Sequence, residues 1–286
     1  MPDNTELRRR RSFIFCPGNK PEMFSKALKS GADMVCVDLE DAIAPEHKDL
    51  SRSHTLKLFN EVKSSKEIET IVRVNELQSD DGKKDIKEIL NNNNLPSGLM
   101  LPKIKSPEEI TFLEQQILRS KISIKLHIII ETNQALELVW DIAQTSSYVT
   151  SLFFGGVDMS AELGCKGDWD SLLYARSRVV HAASGAGIEA IDVPFLDLND
   201  MEGMKREALL SKNLGFSGKG TIHPKQIPII NKLFSPTLEE ISYAKKVIDS
   251  FEKADGGLVV VDGKLIEKPV LRSMKRILEN KKNKLS

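Results

Sequence analysis

The chain has 286 residues; apolar residues make up 40% of it, and 41 Lys and Arg balance 41 Asp and Glu to a formal net charge of zero. That length suits one barrel domain, exceeds a minimal module, and supplies a sizeable core. A balanced chain gives no electrostatic reason to expect a nucleic-acid or membrane partner, and no apolar run is long enough to span a bilayer.

Met1-Pro2-Asp3-Asn4-Thr5-Glu6 has no apolar stretch of the kind a secretory leader needs. The run Arg8-Arg9-Arg10-Arg11 could be a nucleic-acid arm or a targeting element, and it is read here as a solvated lead-in to the first strand. The three cysteines, Cys16, Cys36 and Cys165, are scattered and form no Cys-x-x-Cys pair. They indicate neither a disulfide framework nor a zinc knuckle, and point to a reducing cytoplasm.

Strands are predicted over residues 12–15, 33–38, 70–74, 98–101, 126–130, 151–154, 188–192 and 216–221. Several are continuous apolar runs, as in Leu126-His127-Ile128-Ile129-Ile130, the pattern of parallel strands buried on both faces. Helix-period segments lie between them. Ser106-Pro107-Glu108-Glu109 opens one with a cap-like Ser, Pro at the first position and early acids. Asn91-Asn92-Asn93-Asn94 before Leu95-Pro96 is a helix exit and loop. Eight strand–helix units argue for a closed (β/α)8 TIM barrel over residues 1–235. An open doubly wound sheet is disfavoured, because no Gly-x-Gly-x-x-Gly follows the first strand. Residues 236–286 form a C-terminal extension of helix, hairpin and helix. Its first helix starts at Pro236-Thr237-Leu238-Glu239-Glu240 and runs to about Ala254, and Asp255-Gly256-Gly257 breaks it. A β-hairpin, 258–261 and 264–266, turns on Asp262-Gly263, and Pro269 opens the last helix. The extension could cap the barrel or reach a neighbouring subunit.

Barrel chemistry sits at the C-terminal ends of the strands. There the successive strands deliver Cys16-Pro17-Gly18-Asn19-Lys20, Asp38-Leu39-Glu40-Asp41, Arg73, Pro102-Lys103, Glu131, Gly155-Gly156-Val157-Asp158, Asp192 and Thr221-Ile222-His223-Pro224. The repeated switch from apolar to ionisable or Gly-rich sequence marks one rim. Glu131 and Asp158 come from adjacent strands. Hard oxygen donors without Cys or paired His select Mg²⁺ or Mn²⁺ over zinc, and two protein ligands leave positions for water and a chelating substrate. Each acid could instead cap a helix or form a rim ion pair. Arg73 suits a carboxylate or a developing oxyanion, or a structural pair with Glu40 or Asp41. Gly155-Gly156 allows close backbone approach to an anion, or is a plain tight turn. Lys103 could form a Schiff base, but pairing with Asp38, Glu40 and Asp41 is favoured. His223 is an acid–base group or a structural His before Pro. Cys16 is read as packing.

These residues carry a resemblance. Arg11-Ser12-Phe13-Ile14-Phe15-Cys16-Pro17-Gly18, Asp38-Leu39-Glu40-Asp41-Ala42-Ile43 with Pro45, Val72-Arg73-Val74-Asn75, Leu101-Pro102-Lys103, Ile130-Glu131-Thr132, Phe154-Gly155-Gly156-Val157-Asp158 and Gly220-Thr221-Ile222-His223-Pro224 are similar, in this order, to the motifs of the HpcH/HpaI aldolase and citrate lyase β-subunit family, which includes malyl-CoA and citramalyl-CoA lyases. The match runs from about Arg11 to the C-terminal hairpin. The resemblance implies a Mg²⁺-dependent barrel with Glu131 and Asp158 as metal ligands and Arg73 on the substrate oxygens; Glu40 and Asp41 join Arg73 in the catalytic group. It implies that Pro17–Lys20 and His223 lie near the coenzyme A arm, with Phe15, Lys103, Gly155 and Gly156 also around the substrate. It further implies a homo-oligomer, commonly a trimer, whose C-terminal segment covers a neighbour's site. In that segment the family's free-standing CoA lyases carry an acid–base Asp; here Glu267 stands in its place, one methylene longer.

The expected activity is reversible cleavage of a 3-hydroxyacyl-CoA, such as malyl-CoA or citramalyl-CoA, to acetyl-CoA and glyoxylate or pyruvate. The rivals are a citrate lyase β subunit acting on a citryl group held by an acyl carrier protein, a CoA-independent 2-oxo-acid aldolase, a thioesterase, and a non-catalytic scaffold barrel.

Overall fold

A computed structural model of the chain describes residues 9–61, 67–254 and 259–282. Met1–Arg8, the break at Asp255-Gly256-Gly257 and the first hairpin residue, Leu258, lie outside them. Eight parallel strands close on themselves in chain order: β1 (Ser12–Pro17), β2 (Met34–Asp38), β3 (Glu69–Arg73), β4 (Gly98–Leu101), β5 (Lys125–Ile130), β6 (Val149–Phe154), β7 (Glu189–Asp192) and β8 (Gly218–Thr221). The ring shuts where β1 pairs with β8, Ser12 opposite Lys219 and Ile14 opposite Thr221. Every predicted strand overlaps its counterpart, with ends shifted by two residues at most.

The apolar runs work because each strand buries both faces. Val35, Val37, Ile128 and Ile130 face the surrounding helices. The residues between them, such as Met34, Cys36 and Ile129, join Phe13, Met100 and Phe153 inside the ring. This alternation stacks the interior in layers. β3 displays the scheme in one strand: Glu69 at the base, Ile71 in the apolar middle, Arg73 at the mouth. Truncating a side chain of the middle layer, as in Phe153→Ala, costs about 3–5 kcal/mol.

The base corrects the reading of the arginine run. Arg10 is not solvated but 6% exposed. Its guanidinium donates to both Glu69 oxygens at 2.6 and 2.9 Å, to the Thr150 carbonyl at 2.9 Å and to Glu189 at 3.1 Å. Arg11 likewise pairs with Asp33 at 2.8 Å. Burial pushes the Glu69 carboxyl up, but the charge and hydrogen bonds of Arg10 outweigh it and bring its pKa to about 2. His127, wholly buried beside it and bonded through Nδ1 to Ser151 Oγ at 2.7 Å, is held neutral, its pKa taken down to about 3 by burial.

Beyond the barrel, the helix Leu238–Lys253 begins with a reciprocal cap between Thr237 and Glu240. β9 (Val259–Val261) and β10 (Lys264–Ile266) form the expected hairpin on Asp262 and Gly263, with φ of 49° and 75°. Both central residues of such a turn need positive φ, which Asp-Gly supplies. The last helix spans Lys268–Lys282, with Pro269 at its second position. Val247, Val259, Val261 and Ile266 make a separate apolar cluster here. Val260 and Leu265, opposite each other on the hairpin's other face, are exposed.

Candidate active site

The mouth layer is assembled by strand ends. Asp38, the last residue of β2, takes a two-pronged contact from Arg73 at the end of β3, Nε to Oδ1 and Nη2 to Oδ2, both 2.7 Å. The same carboxylate accepts the backbone N–H groups of Glu40 and Ala42 at 2.9 and 3.0 Å, which bends the chain back over the rim. Arg73 Nη1 reaches Glu40 at 3.1 Å and Asp41 at 3.3 Å, and its plane lies 4.7 Å from the Phe15 ring. Burial opposes the Arg73 charge, but Asp38, Glu40 and Asp41 hold its pKa above the ordinary value. Lys103 Nζ sits 2.6 Å from Glu40 and 3.6 Å from Asp41. The Glu40 contact raises the Lys103 pKa, a state opposite to that of a neutral Schiff-base amine. Lys103 therefore takes the pairing role. Lys48, which the sequence did not single out, ties the loop down through the Leu39 and Glu40 carbonyls at 2.8 and 2.6 Å and Asn75 at 2.7 Å.

Opposite this cluster stands Glu131, immediately after β5 and 4% exposed. Its Oε1 accepts the Lys103 backbone N–H at 2.7 Å. Burial, reinforced by the charges of Asp158 and Glu40, pushes its pKa up to about 8 against the pull of that N–H. Asp158 lies in the first turn of the helix Gly156–Leu163 that follows β6. Gly155 joins the two elements, and a Cβ there would stand 2.5 Å from Glu131 Cβ and 2.6 Å from its Oε2. Only glycine lets β6 turn into the helix against that carboxylate.

A cavity of about 260 Å³ opens between the clusters. Phe15, Asp41, Arg73, Glu131, Gly155 and Asp158 border it, above the apolar middle layer. Glu40 and Lys103 stand behind as ion-pair partners. Pro17, Lys20, Gly156, His223 and Glu267 do not line it. Lys20 is exposed before the helix Pro21–Leu28. His223 caps the turn Pro224–Gln226, its Nδ1 accepting the Lys225 N–H at 3.1 Å. Glu267 is exposed in the extension. Cys16 is buried, and burial beside Asp38 pushes its thiol up to about 12, as suits packing.

Among the described residues neither Glu131 nor Asp158 forms an ion pair, and no group of three His, Cys, Asp or Glu converges as a metal cluster. The donors are a carboxylate pair. A buried acid driven up to about 8 with a second acid beside it is electrostatically unsatisfied. A divalent cation would reverse that, and all-oxygen donors with open positions fit a hard ion.

A closed (β/α)8 barrel with a carboxylate pair and a buttressed arginine at its mouth is the class that the fold and site define. Residues 11–224 match the HpcH/HpaI aldolase/citrate lyase family, and the chain belongs to it. Over 97% of its length it is 33% identical to citrate lyase subunit beta of Haemophilus influenzae, covering 98% of that protein. Over 92% of its length it is 30% identical to the mitochondrial citramalyl-CoA lyase of Homo sapiens, covering 83% of it. Among solved structures it is similar to protein CitE of Mycobacterium tuberculosis in complex with magnesium, acetoacetate and coenzyme A, with a TM-score of 0.79 and 27% identity over 95% of this chain and 98% of that one. The named relatives are lyases, and this chain is an enzyme of that family. No helix of the described residues is long and apolar enough to cross a membrane.

Proposed function

We propose that this chain is a Mg²⁺-dependent carbon–carbon lyase that cleaves, or forms, a 3-hydroxyacyl-CoA such as malyl-CoA or citramalyl-CoA, with acetyl-CoA and glyoxylate or pyruvate as the products. The observation that carries the reading is Glu131, buried with no Lys or Arg ion pair among the described residues and facing a cavity it shares with Asp158. Glu131 and Asp158 would hold the ion, with Mn²⁺ as a substitute. When bound, the ion supplies Lewis acidity to the oxygens of a 2-hydroxy or 2-oxo acid.

The chain's own groups do the rest. A carboxylate, by preference Glu267 of a neighbouring copy, takes the hydroxyl proton. The carbon–carbon bond breaks as the carbonyl forms, and its electron pair passes to the acetyl thioester as an enolate. Arg73 neutralises the enolate oxygen from a position fixed by Asp38. Return of a proton to carbon gives acetyl-CoA. Glu40 and Asp41 hold Arg73 and Lys103 in place, and Asp41 also borders the cavity. Phe15 and Gly155 bound the acyl end, Gly156 opens the helix of Asp158 behind that wall, and Pro17, Lys20 and His223 are assigned to the coenzyme A arm.

The cross-chain role of Glu267 rests on a homotrimer or larger homo-oligomer in which residues 236–286 pack on a neighbour's 1–235 barrel. Its support is apolar exposure on both sides: Val260 and Leu265 on the hairpin, and Val157, Leu196 and Ile222 around the mouth. A cytoplasmic enzyme accords with three unpaired cysteines.

Purified protein mixed with malyl-CoA and citramalyl-CoA, with and without Mg²⁺, tests the reading. Metal-dependent release of acetyl-CoA and the matching oxo acid is expected; cleavage that survives EDTA, or no cleavage of either thioester, refutes it. The likeness to citrate lyase subunit beta favours a second reading, a citryl group on an acyl carrier protein. Activity appearing only with the carrier would select it.

A further inference from the structure

Arg176 is 1% exposed, in the first turn of the helix Leu173–Ala186, and plays no part in the mechanism above. Its guanidinium carbon lies over two rings, 5.0 Å from the Phe154 centroid and 4.7 Å from that of Trp169. Nε donates to Asp192 Oδ1 at 3.0 Å, and Nη2 lies 4.0 Å from Glu207. Nη1 is buried with no hydrogen-bond partner. A buried guanidinium with an unsatisfied group needs a reason, because an apolar side chain would fill the space without that penalty.

The contacts lead to the mouth. Phe154 ends β6 and borders the cavity, and its Cε1 lies 3.0 Å from where a Cβ on Gly156 would stand. Gly156 opens the helix that carries Asp158 two residues later. Asp192 ends β7, and its second oxygen is taken by Lys219 at 2.6 Å and by Ser211. One planar cation thus clamps the end of β6 through a ring face and the end of β7 through a carboxylate.

We infer that Arg176 is a positioning residue: it fixes the β6 end, and through Phe154 and Gly156 sets where the Asp158 carboxylate stands relative to Glu131. The inference rests on the metal reading above. A guanidinium is required, since an ammonium that holds Asp192 cannot also keep contact with both ring faces.

The test is Mg²⁺ affinity, measured by calorimetry with magnesium chloride on the full-length protein, for wild type, Arg176→Lys, Arg176→Met and Trp169→Leu. The expected result is about tenfold weaker Mg²⁺ binding in Arg176→Lys, although its Asp192 pairing survives, with a smaller loss in Trp169→Leu. With Trp140 replaced by Phe, Mg²⁺ should shift Trp169 emission, and Arg176→Lys should abolish the shift. If Arg176→Met does not fold, the Lys and Leu variants decide alone. Folded variants with wild-type Mg²⁺ affinity and only a lowered Tm overturn the inference while leaving the metal site standing. Wild type that binds no Mg²⁺ overturns both.

Discussion

The backbone N–H of Lys103 donates to Glu131 Oε1 at 2.7 Å from a left-handed conformation, φ 53°. One residue thus grips both sides of the mouth, Glu131 through its main chain and Glu40 through its ammonium. A side chain in the left-handed region costs about 1 kcal/mol or more. Lys103→Gly and Lys103→Ala both keep the N–H and both lose the ammonium, but only glycine removes that cost. Thermal unfolding should therefore rank Lys103→Gly above Lys103→Ala. The reverse order would show that the left-handed geometry is not what the position demands.

Glu131 makes the metal-free protein sensitive to pH. Its folded pKa of about 8 lies above the ordinary carboxylate value, so between the two the folded state retains a proton that the unfolded state has lost. Stability without metal should fall as pH rises through that window and level off above about 8, with a total effect on the order of a few kcal/mol. Glu131→Gln, which still accepts the Lys103 N–H, should flatten the slope and be the more stable protein at pH 8 in EDTA. Mg²⁺ binding should release protons and tighten as pH rises. Denaturant midpoints from pH 5 to 9 check the first statement, and calorimetry in buffers of different ionisation enthalpy the second.

Gly155→Ala is expected to weaken Mg²⁺ binding by about 10–100-fold. The added methyl meets Glu131 at 2.5 Å and must displace the carboxylate or the start of the Asp158 helix. The cost in stability is about 1–3 kcal/mol. Equal Mg²⁺ isotherms for the two proteins would contradict the geometry.

Arg73→Lys should not rescue Arg73→Ala. Lysine cannot reproduce the two-pronged bond to Asp38 or the contact with the Phe15 ring, and alanine leaves the buried Asp38 without its cation, while Glu40 and Asp41 keep only Lys103. A loss of about 3–5 kcal/mol for Ala, and of about 10²–10³ in kcat for both, is the expected pattern in unfolding and steady-state assays.

If Glu267 serves a neighbouring copy, Glu131→Gln and Glu267→Gln are each nearly inactive alone but regain activity when co-refolded, since some mixed interfaces carry both native acids. Activity that never exceeds that of the separate variants rules out the shared site.

The strands were legible because each is a short apolar run between breakers, and their ends were legible because the run stops at an ionisable residue. Glu131, Asp158 and Arg73 could be placed at one rim by that means alone. Arg10 could not. Its partners Glu69, Thr150 and Glu189 lie 59, 140 and 179 positions away, and only closure of the ring brings them together, so four arginines in a row read as a solvated stretch. The Arg176–Asp192–Lys219 network was hidden for the same reason, since nothing local distinguishes a buried helix arginine from a surface one. Strand-end logic also put Pro17, Lys20 and His223 at the rim, but their coenzyme A role, and Glu267 altogether, came from resemblance. All four lie outside the cavity wall of a single chain.

The floor beneath the site bears on whether the barrel can be cut. Arg10 meets β3, the first residues of β6 and the start of β7 at one point, and His127 of β5 packs against the same Glu69. A fragment ending after β4 keeps Arg10 and Glu69 but lacks Thr150, Glu189 and the imidazole, so its base opens to water. The complementary fragment keeps Glu189 and His127 without the guanidinium. Neither half is a self-sufficient ancestor or a useful split-protein reporter unless the two are supplied together, and the base then acts as the keystone of their reassembly.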